Sequence, residues 1–226
     1  MYLLITTGSI FAIGHLLLGY FVWKYARASR VTHRMPRSQT ERRWSIGLGM
    51  VMAVIAEGGV LVLGMPVWSE FYAMSPPPEA VQVEITGEQF AWNIRYPGAD
   101  GVFGSTRARL ISGTNPLGLD EQDPAARDDL LLLGLAYLPV NQPAHFRLRS
   151  KDVIHSLYLP EFRVKQDAVP GMEIDVWFVP TRAGSYEIAC TELCGFGHFQ
   201  MRGVLEVVTR EEYDQFLKDE IPFLGD

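Results

Sequence analysis

Two long apolar segments open the chain, and a more polar region of short alternating runs follows them. Residues 2–23 contain no charged side chain, and residues 44–68 contain one acid, Glu57. At about 1.5 Å per residue, a helix of either length would cross the ~30 Å hydrocarbon layer of a bilayer. Tryptophans stand near the segment ends, where the amphipathic ring favours the membrane interface. We therefore predict a hairpin of two transmembrane helices over residues 1–68.

The connector between these segments, residues 24–43, carries seven Lys and Arg side chains and one acid. Basic loops stay on the cytoplasmic side of a membrane. The N-terminus and everything after residue 68 are therefore expected outside. We expect a bacterial plasma (inner) membrane location, with the polar region on the periplasmic side.

The region after the hairpin has the pattern of an all-β domain. A proline-rich spacer, residues 69–79, would hold the domain away from the lipid. Short runs separated by Gly, Pro, Asn and Asp then continue to residue 209: "AVQVEITG", "FAWNIRY", "LLLLGLAYLPV", "AHFRLRS", "VIHSLYLP", "EIDVWFVP", "SYEIAC" and "GVLEVV". Their alternation and spacing predict a β-sandwich or barrel. Residues 97–129 lack such a pattern, and we interpret them as a long loop.

The last segment, residues 210–226, is expected to hold a short helix and a tail. Thr209 followed by Glu212 is a capping-box pattern, which marks a helix N-terminus.

Charge is distributed as unevenly as hydrophobicity. The net charge is −6, but the region from residue 70 onward holds 24 acids against 13 bases. The only basic cluster is the short connector between two apolar segments. A nucleic-acid partner is therefore not expected, whereas membrane lipid is.

The densest candidate chemistry lies in "CTELCGFGHFQM", residues 190–201. It holds both cysteines of the chain, and its possible ligands are Cys190, Cys194, His198 and Met201. Thiolate and thioether sulfur are soft ligands that select copper, and imidazole suits copper or zinc. His155, in "DVIHS", is placed to supply a second imidazole from an earlier strand.

Several kinds of site fit parts of this set. One blue copper ion needs a single cysteine, whereas two thiolates could bridge two copper ions, each completed by one histidine. A Cys190–Cys194 disulfide suits an external compartment but leaves the histidines and methionine unexplained. A Cys₂His₂ zinc site is also possible, although methionine is a poor zinc ligand. An iron–sulfur cluster needs more cysteines or the Rieske ligand pairing.

These residues also carry a resemblance to a known family. "CTELCGFGHFQM", with "DVIHS" and "RVKQDAVPG" upstream, resembles subunit II of haem–copper cytochrome c oxidase, whose pattern is C-x-E-x-C-x₃-H-x₂-M after an upstream histidine. The resemblance covers nearly the whole chain. It implies a cupredoxin domain over residues 80–209 that carries a dinuclear copper centre, CuA.

The resemblance also implies a role for each ligand. Cys190 and Cys194 would bridge the two coppers, and His155 with Met201 would complete one of them. The other copper would take His198 and the backbone carbonyl of Glu192. The Glu192 side chain would reach a Mg²⁺ site shared with subunit I.

Residues outside the ligand set match the family less closely. In "GEQFAWNIRYP", Phe90 replaces the first tryptophan of the family, through which electrons usually arrive from cytochrome c, and Trp92 fits the second. Phe90 and Trp92 are the candidates for electron entry. Glu41, three residues before Trp44, fits the entrance of a proton channel. Four further acids are candidates for docking a basic donor, beside a plain acidic surface as the alternative: Asp152, Glu161, Asp167 and Asp175.

The resemblance thus implies an enzyme subunit rather than a complete enzyme. Electrons from cytochrome c, or a cytochrome c domain, would pass to haems that only partner subunits hold. Oxygen reduction coupled to proton pumping would occur in subunit I, with further oxidase subunits as partners. The alternative is a membrane-anchored copper-binding electron carrier or copper assembly factor.

Overall fold

A computed structural model of the chain describes residues 1–26, 38–72 and 75–225. These residues form two compact units, Met1–Ala73 and Met74–Asp226. Most of the basic connector, with its predicted cytoplasmic position, lies outside the described residues.

The first unit is helical and contains two helices long and apolar enough to cross a membrane. Helix α1 spans Tyr2–Tyr25. The second is continuous from residue 39 to residue 72: α2 (Gln39–Ala53), a π-helical turn (Val54–Gly58) and α3 (Gly59–Tyr72).

Both apolar segments are thus helical, but the second helix is longer than the predicted 44–68. It begins earlier because Ser38 forms a capping box with Glu41, whose carboxylate accepts a hydrogen bond from the Ser38 N–H at 3.3 Å. Apolar composition marks the part of a helix at membrane depth, whereas hydrogen bonding and capping decide where the helix ends. The Tyr2 hydroxyl donates to the Ile55 carbonyl in the π-helical turn, which joins the two helices at this level.

The second unit is a β-sandwich of two five-stranded sheets, as predicted. One sheet has the order β3-β2-β1-β5-β8 and the other the order β4-β10-β9-β6-β7. The strands are β1 (Val81–Glu88), β2 (Ala91–Tyr96), β3 (Leu130–Leu133), β4 (Leu135–Pro139), β5 (Ala144–Ser150), β6 (His155–Leu159), β7 (Val164–Ala168), β8 (Ile174–Phe178), β9 (Gly184–Cys190) and β10 (Arg202–Val208). Inward-facing aromatic and aliphatic side chains fill the space between the sheets, among them Trp92, Ile94, Phe146, Leu148, Leu157 and Leu205.

The apolar run 130–140, which the sequence suggested was a single strand, is two strands in different sheets. Gly134 separates them with a φ of +67°, a conformation that glycine adopts without strain. Its N–H bonds to the Trp92 carbonyl in one sheet, and its own carbonyl accepts from Val204 N–H in the other. The chain therefore crosses between the sheets at this residue.

Strand β7 was missed because its sequence, "VKQDA", is polar. It lies at the edge of its sheet, where one face and one side of the strand meet solvent, so polar side chains are tolerated there. Residues 97–129 contain no extended strand, in agreement with the loop interpretation, and include only two short 3₁₀ turns. The predicted terminal helix is α4 (Arg210–Asp219), and it has the Thr209–Glu212 capping box.

Candidate metal centre

Two neighbouring strands bring the predicted ligands together. His155 is the first residue of β6, and Cys190 is the last residue of β9. These strands pair antiparallel, with Leu157 opposite Cys190, so the end of one lies beside the start of the other. Cys194, His198 and Met201 lie in the short connection from β9 to β10.

The sulfur and nitrogen atoms of these five side chains converge, and we call the five the ligand cluster. The ligand atoms of His155, Cys190 and Cys194 all lie within 4.8 Å of one another. Cys194 Sγ lies 3.5 Å from His198 Nδ1 and 3.8 Å from Met201 Sδ. The Glu192 carbonyl oxygen lies 3.3 Å from Cys190 Sγ. All six predicted ligands are therefore neighbours of at least one of the two thiols.

Four of the five side chains of the cluster are buried, His198 is partly buried, and the cysteines are not bonded to each other. The two Sγ atoms are 4.0 Å apart, and both cysteines are free. A disulfide needs a sulfur separation of about 2.05 Å, so the arrangement differs from one. His155 is fully buried and Met201 is 1% exposed. Burial, followed by the nearby Cys190, raises the pKa of the Cys194 thiol to about 11.

The donor set fits a soft metal ion. A metal–thiolate bond is about 2.3 Å long in zinc proteins, so sulfurs 4.0 Å apart can both reach an ion between them. Two thiols and one thioether among five side chains favour copper over magnesium or calcium, which prefer oxygen. The arrangement is consistent with a copper site.

Asp152, a predicted docking acid, touches the ligand cluster. Its Oδ1 lies 2.8 Å from His155 Nε2, and its Oδ2 accepts a hydrogen bond of 2.7 Å from the Gln89 N–H. Burial raises the pKa of Asp152, but hydrogen bonds from His155, Gln89 N–H and Val153 N–H outweigh it and hold the pKa below its ordinary value. A metal-ligating histidine usually has such a partner on its other nitrogen.

The turn between β1 and β2 forms one wall of the site. Gly87 leaves room for the His155 ring, since a Cβ there would lie 2.8 Å from His155 Cδ2. Phe90 is partly buried and packs against Gly195 and Gly197. Both glycines lie in the connection from β9 to β10, residues 191–201, which we call the ligand loop. A side chain at either glycine would displace the Phe90 ring or the loop.

Trp92 is fully buried, with its ring 5.9 Å from the His155 ring. Its side chain belongs to the core between the two sheets, so it cannot touch a docked donor. Of the two candidates for electron entry, Phe90 and Trp92, only Phe90 is partly exposed.

The other predicted residues are not members of the ligand cluster. Asp175 pairs with His145 Nε2 at 2.7 Å. Asp167 is exposed on β7, and Glu161 is exposed in the 3₁₀ turn between β6 and β7. Glu41 forms the capping box of α2. The contacts of Asp152, Gln89 and Gly87 with the site were not predicted, although "DVIH" places an acid three residues before a ligand.

The fold and the site together define a cupredoxin-like β-sandwich with a sulfur-rich candidate metal site. The family model for the periplasmic domain of cytochrome c oxidase subunit II matches residues 81–208. The chain belongs to the cytochrome c oxidase subunit II family, as the resemblance predicted.

Two relatives that align with nearly the whole chain support this membership. The alternative cytochrome c oxidase subunit 2 of Bradyrhizobium diazoefficiens is 37% identical over 97% of this chain and 78% of the relative. Cytochrome c oxidase subunit 2 of Cereibacter sphaeroides is 30% identical over 96% of this chain and 73% of the relative. The crystal structure of the periplasmic domain of subunit II of cytochrome oxidase from Bradyrhizobium japonicum is 28% identical, with a TM-score of 0.48, over 65% of this chain and 96% of that one.

Proposed function

We propose that this chain is the electron-accepting subunit of a respiratory haem–copper oxygen reductase. A dinuclear CuA centre would take electrons from cytochrome c and pass them to the haems of subunit I, where oxygen is reduced and protons are pumped. The observation that carries this proposal is the convergence of two unbonded thiols, two imidazoles, one thioether and one carbonyl at a buried site. Membership in the subunit II family gives it independent support.

The grouping of the ligands follows the family pattern, and each proposed ligand is a neighbour of one of the two thiols. Cys190 and Cys194 would bridge both coppers, His155 and Met201 would complete one, and His198 with the Glu192 carbonyl would complete the other. Such a centre, when bound, supplies a one-electron carrier whose charge is shared over two ions. The protein holds the ligands on the ends of two paired strands and a short loop, and the buried setting keeps water out.

Electrons would arrive at the face formed by Phe90 and the ligand loop. Phe90 contacts Gly195 and Gly197, so its ring joins the partly exposed surface to the backbone between Cys194 and His198. The exposed acids Glu161, Asp167 and Asp175 are candidates for steering a basic cytochrome c. Steering predicts that the rate of electron transfer from cytochrome c falls as salt is added, and a rate independent of salt would contradict it.

The remaining contacts would be with the membrane and the partner subunits. The helical unit would anchor the chain in a bacterial plasma membrane, with the β-sandwich on the periplasmic side. The exposed Glu192 side chain would reach a Mg²⁺ ion shared with subunit I. Glu41 would stand at a proton-channel entrance, although its capping of α2 is a sufficient structural reason for an acid there.

Purification of the full chain from its native membrane tests this proposal. We expect it to co-purify with a haem-bearing subunit in a fixed ratio, and to be reduced by cytochrome c before the haems are. A chain that carries copper but is isolated without haem would support the alternative of a copper carrier or assembly factor.

A further inference from the structure

We propose that Asp152 is a positioning residue of the metal centre, and that it acts together with Gln89 to hold the two ligand-bearing segments in register. This inference rests on the proposed function, since it concerns the ligands of the same centre. Neither residue supplies a ligand, and Asp152 was expected from the sequence only to attract a donor.

Asp152 orients the ring of His155. Asp152 Oδ1 lies 2.8 Å from His155 Nε2. An ionised carboxylate can only accept hydrogen bonds, so Nε2 must carry the ring proton. Nδ1 is then left with its lone pair, and it lies 4.0 Å from Cys190 Sγ, on the side of the ring that faces the thiols. Asp152 thus selects the tautomer that can bind metal.

Gln89 connects Asp152 to the segment that carries Cys194. Asp152 Oδ2 accepts the Gln89 N–H at 2.7 Å, and the Gln89 side-chain amide donates to the Cys194 carbonyl at 2.5 Å. One residue of the β1–β2 turn therefore joins the carboxylate that orients His155 to the backbone of Cys194. A movement of this turn would shift both ligand segments together.

Asp152 differs in its contacts from Asp167, another of the predicted docking acids. Asp152 also accepts the Val153 N–H at 2.7 Å, so its carboxylate has three donors, and only 30% of its side chain is exposed. Asp167 lies nearby on β7, opposite Ser156 of β6, and is exposed. The two acids are thus matched in charge and general position, but only Asp152 contacts a ligand.

The test compares Asp152→Asn and Asp152→Ala with Asp167→Asn in the full chain. Nitrogen-15 NMR of the copper-free protein reports which ring nitrogen of His155 is protonated. We expect the Nε2–H form in the wild type and in Asp167→Asn, and a mixture of tautomers in Asp152→Ala. Copper-loaded samples should lose copper to a chelator on the order of 10–100-fold faster in both Asp152 variants. The Asp167 variant should retain copper as the wild type does.

Gln89→Ala provides a variant that keeps the Asp152 carboxylate. We expect faster copper loss from it as well, by a smaller factor, and a combined effect with Asp152→Ala below the product of the two single effects, because both act through one network.

The inference is overturned if the His155 tautomer and the rate of copper loss in the Asp152 variants stay within about twofold of the wild type. It is likewise overturned if Asp152→Asn and Asp167→Asn slow the reaction with cytochrome c equally and change nothing else. Failure of the wild type to bind copper would sink the proposed function, whereas the tautomer measurement needs no copper and would still decide the role of Asp152.

Discussion

The β-sandwich contains two clusters of buried polar side chains, which differ in how their members are paired with each other. In the arginine cluster, Arg95 is 1% exposed and pairs with Glu84 at 3.1 Å and with Asp129 at 2.5 Å. In the ligand cluster, the two cysteines are free, and their sulfur atoms are 4.0 Å apart. The charges of the first cluster are paired within the protein, whereas the second gathers free thiols that become strong metal ligands once they lose their protons.

This difference separates a structural role from a functional one. Buried charges are tolerated when they are paired, and the arginine cluster is paired at the root of the long loop, where Asp129 also accepts the Gly104 N–H. The ligand cluster instead collects groups that become good ligands only after losing protons. The arginine cluster therefore fixes residues 97–129 to the sheet, whereas the ligand cluster is consistent with a copper site.

Cys194→Ser should break the ligand cluster and leave the arginine cluster intact. Cys194 contacts Cys190, His198 and Met201, so its thiolate is the shared ligand. We expect complete loss of the dinuclear centre, measured by copper content and by the absorption spectrum. The unfolding midpoint of the copper-free protein should change little, and an unchanged copper spectrum would contradict the assignment.

Arg95→Ala should destabilise the protein and leave the ligand cluster intact. Removing one partner of a buried pair leaves an uncompensated charge, which costs about 3–5 kcal/mol of unfolding free energy. Denaturant unfolding of the copper-free protein measures this loss. Arg202→Ala is the matched control, because Arg202 is 71% exposed in its pair with Glu187 and a surface pair contributes about 0–1 kcal/mol. Equal effects of the two changes would show that the arginine cluster has no special role.

The pH dependence of thiol reactivity tests the ligand cluster without metal. Since burial and Cys190 raise the pKa of Cys194 to about 11, its thiol stays protonated at neutral pH. Only the thiolate reacts with alkylating reagents. Alkylation of Cys194 should therefore accelerate about tenfold per pH unit and level off only above about pH 11. Site-resolved mass spectrometry measures the rate, and a rate that levels off already above about pH 9 would show that the pKa is not raised.

Much of this architecture is predictable from the sequence, because it depends on interactions between residues that are close together in the chain. The apolar segments, the alternating strands and the capping box of α4 depend on hydrophobic burial and hydrogen bonds between near neighbours. The ligand cluster is recognisable because four of its members fall within twelve residues, 190–201. The division of 130–140 at Gly134 was not predictable, because it depends on which sheet each half joins.

The roles of Asp152 and Trp92 needed tertiary contacts. The sequence shows an acid near a histidine, but only the fold brings Gln89 to the same carboxylate and connects it to Cys194. Similarly, the alternation of β2 does not say that the Trp92 ring lies against His155 rather than at the surface. Contacts between residues distant in the chain decide such roles.

The central claim is that the ligand cluster holds two copper ions that share one electron. Metal analysis and electron spin resonance of the full chain, purified under native conditions, test it most directly. We expect two coppers per chain and, in the oxidised form, a hyperfine pattern from one unpaired electron spread over two equivalent nuclei. One copper with a single-nucleus pattern, zinc in its place, or a Cys190–Cys194 disulfide would contradict the account.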